Sequence, residues 1–331
     1  MKIPVLVLFG PTASGKTALL EQLFGGEKNQ IPAEIICADS MQVYRGMDIG
    51  TAKPSLKERA RIPHHLIDIR DPNEQFNAGD FVRLAEQACL EASNRGVLPV
   101  VSGGTGFYLK NLVLGLSEAP PSDKEICALL KEELAAKGAV PLMQELAKAD
   151  PVSAGRIHIN DEYRLLRALE VFRLTGRPLS SFASPWSSGG QLPERPFNFR
   201  LIGLQTSRQE LYRRINDRTA AMFRAGLADE VKSLFNAGYT PSDPGLRAIG
   251  YKEFFVSDCS SWRLSEDMTG VEALVAQNSR RYAKRQITFF ASLPGVTWVD
   301  CATDNSQLSL IIDKIQIMQH DNPEGKNGRS N

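Results

Sequence analysis

One octapeptide near the start of the chain constrains the fold more than any other stretch. Residues 10–17 read Gly-Pro-Thr-Ala-Ser-Gly-Lys-Thr, and they lie between an apolar run at residues 5–9 and a helix-like segment at residues 18–24. A strand, a glycine loop of the form G-x-x-x-x-G-K-[ST] and a helix make up a P-loop. Its glycines let several N–H groups point at one anion, and the helix N-terminus adds a positive dipole end. The sequence therefore predicts a phosphate or pyrophosphate site, without indicating which molecule carries it.

Two side chains of this loop are expected to contact the ligand directly. Lys16 reaches the phosphates as a point charge, and the Thr17 hydroxyl is placed to bind Mg²⁺, which is the expected cofactor. The predicted phosphate-binding residues are Gly10, Pro11, Thr12, Ala13, Ser14, Gly15, Lys16 and Thr17.

Polar loops follow three of the predicted strands. The strands cover residues 5–9, 34–38 and 98–102. Because helix-like segments alternate with them, the fold class is α/β with a mainly parallel, P-loop NTPase-like sheet, whose carboxyl edge carries ligand groups. Gly10, Asp39 and Thr105 are therefore expected to converge on one crevice.

The pattern changes near residue 120, where strand-like segments give way to helices. The predicted helices there cover residues 123–137, 140–149 and 161–175. A loop rich in serine, glycine and proline follows at residues 184–196, and residues 199–204 return to a strand-like pattern. Later helices are predicted at residues 208–224, 227–237 and 271–293. The predicted organisation is a core of residues 1–120 and 197–320, a helical insertion domain of residues 121–196 and a disordered tail of residues 321–331.

Composition limits the class of protein. The net charge is +1, with 23% charged and 42% hydrophobic residues, so any basic surface for nucleic acid must be local. The 5 cysteines are scattered, which favours reduced thiols in the cytoplasm over disulfides or a zinc site. We expect a cytoplasmic monomer without a signal peptide, a membrane span or a membrane partner.

One local basic cluster lies in the C-terminal third. Residues 278–286 contain four cations and no acid. Such a run is most often a solvated helix face. Arg281, Lys284 and Arg285 share one helix face beside aromatic residues, which gives contact with a phosphate backbone more weight than usual.

Asp39 has three candidate roles, among which spacing alone does not choose. It can hold Mg²⁺ through water, act as a general base, or serve a structural role as an N-cap or turn aspartate. Thr105 can shape its loop or bond a substrate group. Ser40 and Gln42 offer donors and acceptors suited to reading a base edge.

Several motifs, in a fixed order, resemble those of tRNA dimethylallyltransferases, also called tRNA isopentenyltransferases. The longest, at residues 39–54, reads DSMQVYRGMDIGTAKP and is far more specific than a P-loop. The others are PHHLID at 63–68, GGT at 103–105, ND at 160–161 with Arg164 and RALEV at 167–171, AIGY at 248–251 and KRQIT at 284–288. The resemblance extends from residue 10 to about residue 290.

This resemblance implies transfer of a dimethylallyl group from dimethylallyl diphosphate to the N6 amine of the adenosine 3′-adjacent to the anticodon. Lys16 and Mg²⁺ would neutralise the diphosphate leaving group. An adenine amine is a poor nucleophile, and Asp39 matches the family's general base. Thr105 matches a residue near the amine and the leaving group, and Arg218 matches an arginine that holds the diphosphate.

The same resemblance implies a tRNA interface, because the target base must leave its stack to react. Asp39, Ser40, Met41 and Gln42 match the part that receives the flipped adenine. The insertion domain matches one that grips the anticodon arm. The further predicted tRNA contacts are Tyr163, Arg164, Arg167, Arg247, Gly250, Tyr251, Lys252, Arg281, Lys284, Arg285, Gln286 and Thr288. The expected partners are the anticodon stem-loop of tRNA and dimethylallyl diphosphate.

Three departures from the family pattern and three competing functions remain. Tyr163 stands where relatives often have glutamine, Phe-Phe-Ala at residues 289–291 replaces Trp-Leu-Arg, and a zinc-finger extension is missing, which favours a bacterial-type enzyme.

Each competing function leaves part of the sequence unexplained. An isopentenyltransferase of free adenine nucleotides leaves the insertion and the basic helix unexplained. A P-loop small-molecule kinase leaves residues 39–54 unexplained. A non-catalytic nucleic-acid-binding module does not require three convergent polar loops.

Overall fold

The structure, a computed structural model, describes residues 2–26, 31–182, 194–258 and 261–300. The chain divides into two compact units: one combines the chain up to Val113 with the chain from Arg195 onward, and the other is Leu114–Glu194. Most of the predicted loop at residues 184–196 and the whole predicted tail at residues 321–331 lie outside the described residues. No helix among the described residues is both long and apolar enough to cross a bilayer.

A parallel sheet forms the centre of the first unit. The strands are β1 (Ile3–Phe9), β2 (Ala33–Cys37), β3 (His64–His65), β4 (Leu98–Gly103), β5 (Phe197–Gln205), β6 (Phe255–Asp258), β7 (Ser261–Leu264) and β8 (Thr297–Asp300). Within the described ranges, 6 of them form one sheet in the order β3-β2-β4-β1-β5-β8, and β6 pairs with β7 in an antiparallel hairpin. Every pairing in the large sheet is parallel. The predicted α/β class with a parallel sheet is confirmed.

The central strands are buried because helices cover both faces of the sheet. Alternate residues of β1 belong to two different hydrophobic clusters: Val7 and Phe9 to one, and Leu6 and Leu8 to the other. This is the two-residue period of a strand with two covered faces. Because both faces are covered, the sequence of β1 is apolar at nearly every position. The buried strand fixes the position of the P-loop, which begins at its carboxyl end.

The helices of both units agree with most of the predicted ones. They are α1 (Lys16–Phe24), α2 (Leu56–Arg61), α3 (Ala78–Asn94), α4 (Gly106–Leu114), α5 (Lys124–Lys137), α6 (Ala139–Ala149), α7 (Pro151–Ala154), α8 (Glu162–Thr175), α9 (Arg208–Arg224), α10 (Leu227–Asn236) and α11 (Met268–Phe290). Side chains of Ser55 and Asn77 form capping boxes that begin α2 and α3. α4 was not predicted, since its sequence GFYLKNLVL is apolar on most sides and shows no clear helical period.

The second unit consists of helices in its described part. α5, α6 and α8 pack around a leucine cluster, with Leu130, Leu146 and Leu165 completely buried. Asp161 is the N-cap of α8, where its side chain accepts from the N–H of Arg164 at 3.2 Å, and Gly176 follows the last turn with a φ of 69°. The helical prediction for this segment is confirmed over these elements.

Candidate active site

The P-loop connects β1 to α1 and curls sharply at its end. Gly15 has a φ of 93°, a conformation that residues with a Cβ rarely adopt, and it caps α1. The Ser14 hydroxyl is buried within the loop and has no hydrogen-bond partner among the described residues. A buried, unsatisfied hydroxyl is destabilising. The Ser14 hydroxyl is therefore an unpaired polar group beside the backbone N–H groups of the loop.

Lys16 lies folded over the loop that it follows. Its Nζ donates to the carbonyl oxygens of Gly10 at 2.8 Å and Pro11 at 2.9 Å. The hydroxyl of Thr17, by contrast, belongs to an exposed residue in the first turn of α1. The ammonium group is thus already at the P-loop, where a phosphate group would compete with the two carbonyls for it.

The residues on either side of Asp39 bond to Thr105 at the ends of the adjacent strands β2 and β4, so the two loops lie together as their positions after these strands predicted. The N–H of Thr105 donates to Ala38 O at 3.1 Å, and the N–H of Ser40 donates to Thr105 Oγ1 at 3.0 Å. Asp39 Oδ1 accepts from the N–H of Met41 at 2.9 Å. One carboxylate oxygen therefore stabilises the turn, which is one of the three roles considered for Asp39.

Arg218 reaches the same region from α9. Its Nη2 donates to Thr51 O at 3.5 Å, and Asp39 is close enough to act on its charge. Burial lowers the pKa of Arg218, and the negative charge of Asp39 opposes that shift. Arginine keeps its proton in proteins, so the shift reflects a desolvated cation. No carboxylate within the described ranges lies at ion-pair distance from Arg218, and such a cation favours an anionic ligand.

The helix α11 braces the P-loop against the β4 loop. Gln286 is only 5% exposed; its Oε1 accepts from the N–H of Thr12 at 2.9 Å, and its Nε2 donates to Gly104 O at 2.8 Å. Tyr282, one turn earlier, lies near the side chains of Thr105 and Gln286. Burial, with a contribution from Asp39, raises the pKa of Tyr282 to about 12. Tyr282 was missed as a site residue, although its spacing of four from Gln286 places both on one helix face.

The predicted tRNA contacts fall into three groups by exposure. The exposed residues are Tyr163, Arg164, Arg247, Lys252, Arg281, Lys284, Arg285 and Thr288. The partly buried residues are Ser40, Met41, Gln42 and Arg167. The buried residues are Gly250, Tyr251 and Gln286. The exposed group includes the cations of α11, which lie on the solvent side of that helix and are available to a phosphate backbone.

Two of these predicted contacts require correction because they are buried, and a third has internal partners. Tyr251 is 0% exposed and its hydroxyl donates to Glu230, while Gln286 is 5% exposed and both polar atoms of its amide are bonded to loops. Arg167 pairs with Glu170 at 2.7 Å and also donates to Pro120 O. Tyr251 and Gln286 offer almost no surface to an external partner in this conformation, so they act as internal braces. Arg167 remains partly exposed and has further N–H donors, so its contact with tRNA stays a prediction.

Possible metal ligands are oxygen atoms near the P-loop. The described residues contain no group of three histidine, cysteine or acidic side chains able to hold a metal ion. Mg²⁺ usually keeps several waters and binds through one or two protein oxygens plus substrate phosphates. The Thr17 hydroxyl and the Asp39 carboxylate are donors of that type, so they fit an ion held mainly by a diphosphate.

Comparison with known proteins identifies close relatives over nearly the whole chain. Residues 42–293 match the family described as IPP transferase. A tRNA dimethylallyltransferase of Geobacter sulfurreducens is 43% identical over 316 residues, covering 95% of this chain and 97% of the relative. The structure of a full-length tRNA isopentenylpyrophosphate transferase of Bacillus halodurans is 36% identical, with a TM-score of 0.64 and coverage of 97% and 98%. A eukaryotic dimethylallyltransferase acting on tRNA is 25% identical, with a TM-score of 0.76 and coverage of 96% and 80%.

Proposed function

The chain belongs to the IPP transferase family, and from this premise we propose the reaction that it catalyses. It transfers a dimethylallyl group from dimethylallyl diphosphate to the N6 amine of the adenosine 3′-adjacent to the anticodon of tRNA, releasing diphosphate. The observation that carries the proposal is that the turn at Asp39 bonds to Thr105 and the charge of Asp39 acts on Arg218. Gln286 joins this region to the P-loop. Proton acceptor, polar hydroxyl and cations are the groups that such a transfer needs.

On the acceptor side, Asp39 takes the proton of the attacking amine. The N6–carbon bond forms as the allylic carbon–oxygen bond breaks, and the N6 proton passes to the carboxylate. The N–H of Met41 fixes Oδ1 at 2.9 Å, which limits the rotation of the carboxylate and leaves Oδ2 to accept the proton. General-base assistance of this kind contributes about 10²- to 10⁴-fold to a rate.

On the donor side, cations stabilise the negative charge that develops on the leaving diphosphate. Lys16 exchanges its bonds with Gly10 O and Pro11 O for bonds to phosphate oxygens. Arg218, desolvated and without an ion-pair partner among the described residues, supplies a second cation. Charges placed in advance where charge develops are among the strongest contributions to catalysis. Mg²⁺, held by Thr17 and the diphosphate, would add further neutralisation when bound.

The tRNA interface consists, in this proposal, of the exposed cations. Arg281, Lys284 and Arg285 lie on the solvent side of α11, and Arg164 is exposed in the helical unit. Phosphate contacts position a nucleic acid without reading its sequence, whereas Ser40 and Gln42 lie beside Asp39 and offer groups for a base edge. A neutral protein can therefore bind tRNA through local basic surfaces.

The reaction is tested by incubating the protein with Mg²⁺, dimethylallyl diphosphate and either unmodified tRNA with an A-rich anticodon loop or free AMP. The products are digested to nucleosides and analysed by mass spectrometry. We expect N6-dimethylallyladenosine from tRNA alone. Product from AMP alone would assign the protein to the branch that acts on free nucleotides, and no product from either would contradict prenyl transfer.

Arg281→Ala is expected to weaken tRNA binding several-fold and to lower the slope of log affinity against log salt by about one unit, because one phosphate contact releases about one counterion. Binding is measured by filter retention over a range of salt concentrations. The matched control is Arg213→Ala: Arg213 is also an exposed arginine, but it pairs with Glu210 and Asp217. Equal slopes for the wild type and Arg281→Ala would exclude α11 from the interface.

A further inference from the structure

A carboxylate outside the reacting groups holds the loop that follows the adenine-binding segment. Glu230 lies in the first turn of α10. Its Oε2 accepts from the N–H groups of Asp48 at 2.9 Å and Ile49 at 2.8 Å, and its Oε1 accepts from the N–H of Gly50 at 3.1 Å. Hydrogen bonds to an ionised group are stronger than neutral ones. Three consecutive backbone groups are thus fixed by one side chain from more than 150 residues away in the sequence.

A buried tyrosine completes this clamp from the opposite direction. The hydroxyl of Tyr251 donates to Glu230 Oε1 at 2.6 Å, and its ring is fully buried. The ring packs directly against Gly50, where a Cβ would come within 2.4 Å of Cε2. The loop backbone therefore lies in contact with the ring and bonded to the carboxylate, which leaves it little freedom to shift.

The next peptide group of the loop contacts both halves of the proposed site. Thr51 O accepts from Gln42 Nε2 at 3.2 Å and from Arg218 Nη2 at 3.5 Å. Gln42 is a predicted reader of the adenine, and Arg218 is the proposed cation for the diphosphate. One carbonyl oxygen thus links a residue for the acceptor to a residue for the leaving group, directly beside the residues that Glu230 fixes.

We propose that Glu230 is a positioning residue for the transfer reaction. By fixing residues 48–50 it sets the position of the Thr51 carbonyl, which in turn aligns Gln42 and Arg218, and with them the amine and the allylic carbon. The inference rests on the proposed function, since it concerns the same site. A displacement of about 1 Å in reacting groups can cost about 10²-fold in rate, whereas binding to the P-loop and to the basic surface does not depend on this alignment.

The proposal is tested with Glu230→Gln, which keeps the size of the side chain but replaces one acceptor oxygen by a donor group. The single-turnover rate constant is measured with enzyme in excess over tRNA and saturating dimethylallyl diphosphate. We expect it to fall by about 10²-fold, with the tRNA dissociation constant changed by less than about threefold. A purely structural role would reduce the amount of folded enzyme, but it would not change this rate constant in the molecules that remain folded.

The matched control is Asp229→Asn. Asp229 is the exposed neighbour of Glu230 in the first turn of α10, so the substitution removes the same charge from the same helix end. We expect its rate constant to equal that of the wild type. If Glu230→Gln also keeps the wild-type rate constant, the proposal is overturned; if the wild type makes no product, the proposed function fails instead.

A second variant covers the case in which Glu230→Gln does not fold. Tyr251→Phe keeps the buried ring and removes only the bond to Glu230. We expect a fall of about tenfold in the single-turnover rate constant, because the tyrosine acts on the same loop through Glu230. A wild-type rate constant for Tyr251→Phe would overturn the proposal.

Discussion

Asp39→Asn is expected to lower the single-turnover rate of dimethylallyl transfer by about 10³-fold, with tRNA affinity unchanged. Asparagine keeps a side-chain oxygen for the N–H of Met41, so the turn at residues 39–41 is preserved. The amide has no basic oxygen to take the proton of the attacking amine. The rate is followed by quenched-flow assay of labelled tRNA, and affinity by filter retention.

Two further measurements separate the candidate roles of Asp39. Asp39→Ala loses both the base and the turn, so its additional defect relative to Asp39→Asn measures the contribution of the turn. If Asp39 instead acts mainly by holding Mg²⁺, a higher Mg²⁺ concentration would restore part of the rate of the asparagine variant. A wild-type rate for Asp39→Asn together with a slow Asp39→Ala would mean that the turn is the main role and that the base lies elsewhere.

Local sequence predicted much of the first unit because its signals are strong and independent of tertiary structure. The apolar runs of β1, β2 and β4 identify strands buried on both faces, and α9 has the predicted bounds. The elements that were missed lack such signals. β3 has only two residues, and the β6–β7 hairpin is short and mostly exposed, so its stability depends on the chain around it.

The groups that react were predictable from topology, whereas the groups that brace them were not. In a parallel sheet the carboxyl ends of neighbouring strands lie together, which brings the turn at Asp39 to Thr105. Glu230 and Gln286 reach their loops from 180 or more residues away, as in the bonds of Glu230 to Gly50 and of Gln286 to Gly104. No local pattern reports such a contact. For the same reason the resemblance did not reveal that Tyr251 is buried, with its hydroxyl bonded to Glu230.

Arg218→Gln is the second substitution with a large expected effect, a fall of about 10²- to 10³-fold in kcat, because removing one group that stabilises transition-state charge has that magnitude. Burial disfavours the Arg218 cation, and the described residues give it no carboxylate partner; bound diphosphate would supply that partner. Inhibition of the Arg218→Gln enzyme by free diphosphate should therefore weaken in parallel, because the same contact is lost. Steady-state kinetics with varied dimethylallyl diphosphate and diphosphate measure both effects.

The control for Arg218→Gln lies on the same helix. Arg213 is exposed on α9 and already pairs with Glu210 and Asp217, so Arg213→Gln removes an equal charge from α9 without touching the site. It should leave kcat and diphosphate inhibition unchanged. Arg218→Lys should recover only part of the rate, because an ammonium group offers a point charge and not the planar pair of donors. If Arg218→Gln behaves like Arg213→Gln, the leaving diphosphate is stabilised by Lys16 and the P-loop amides alone. The Arg218 side chain then serves only to hold the Thr51 carbonyl.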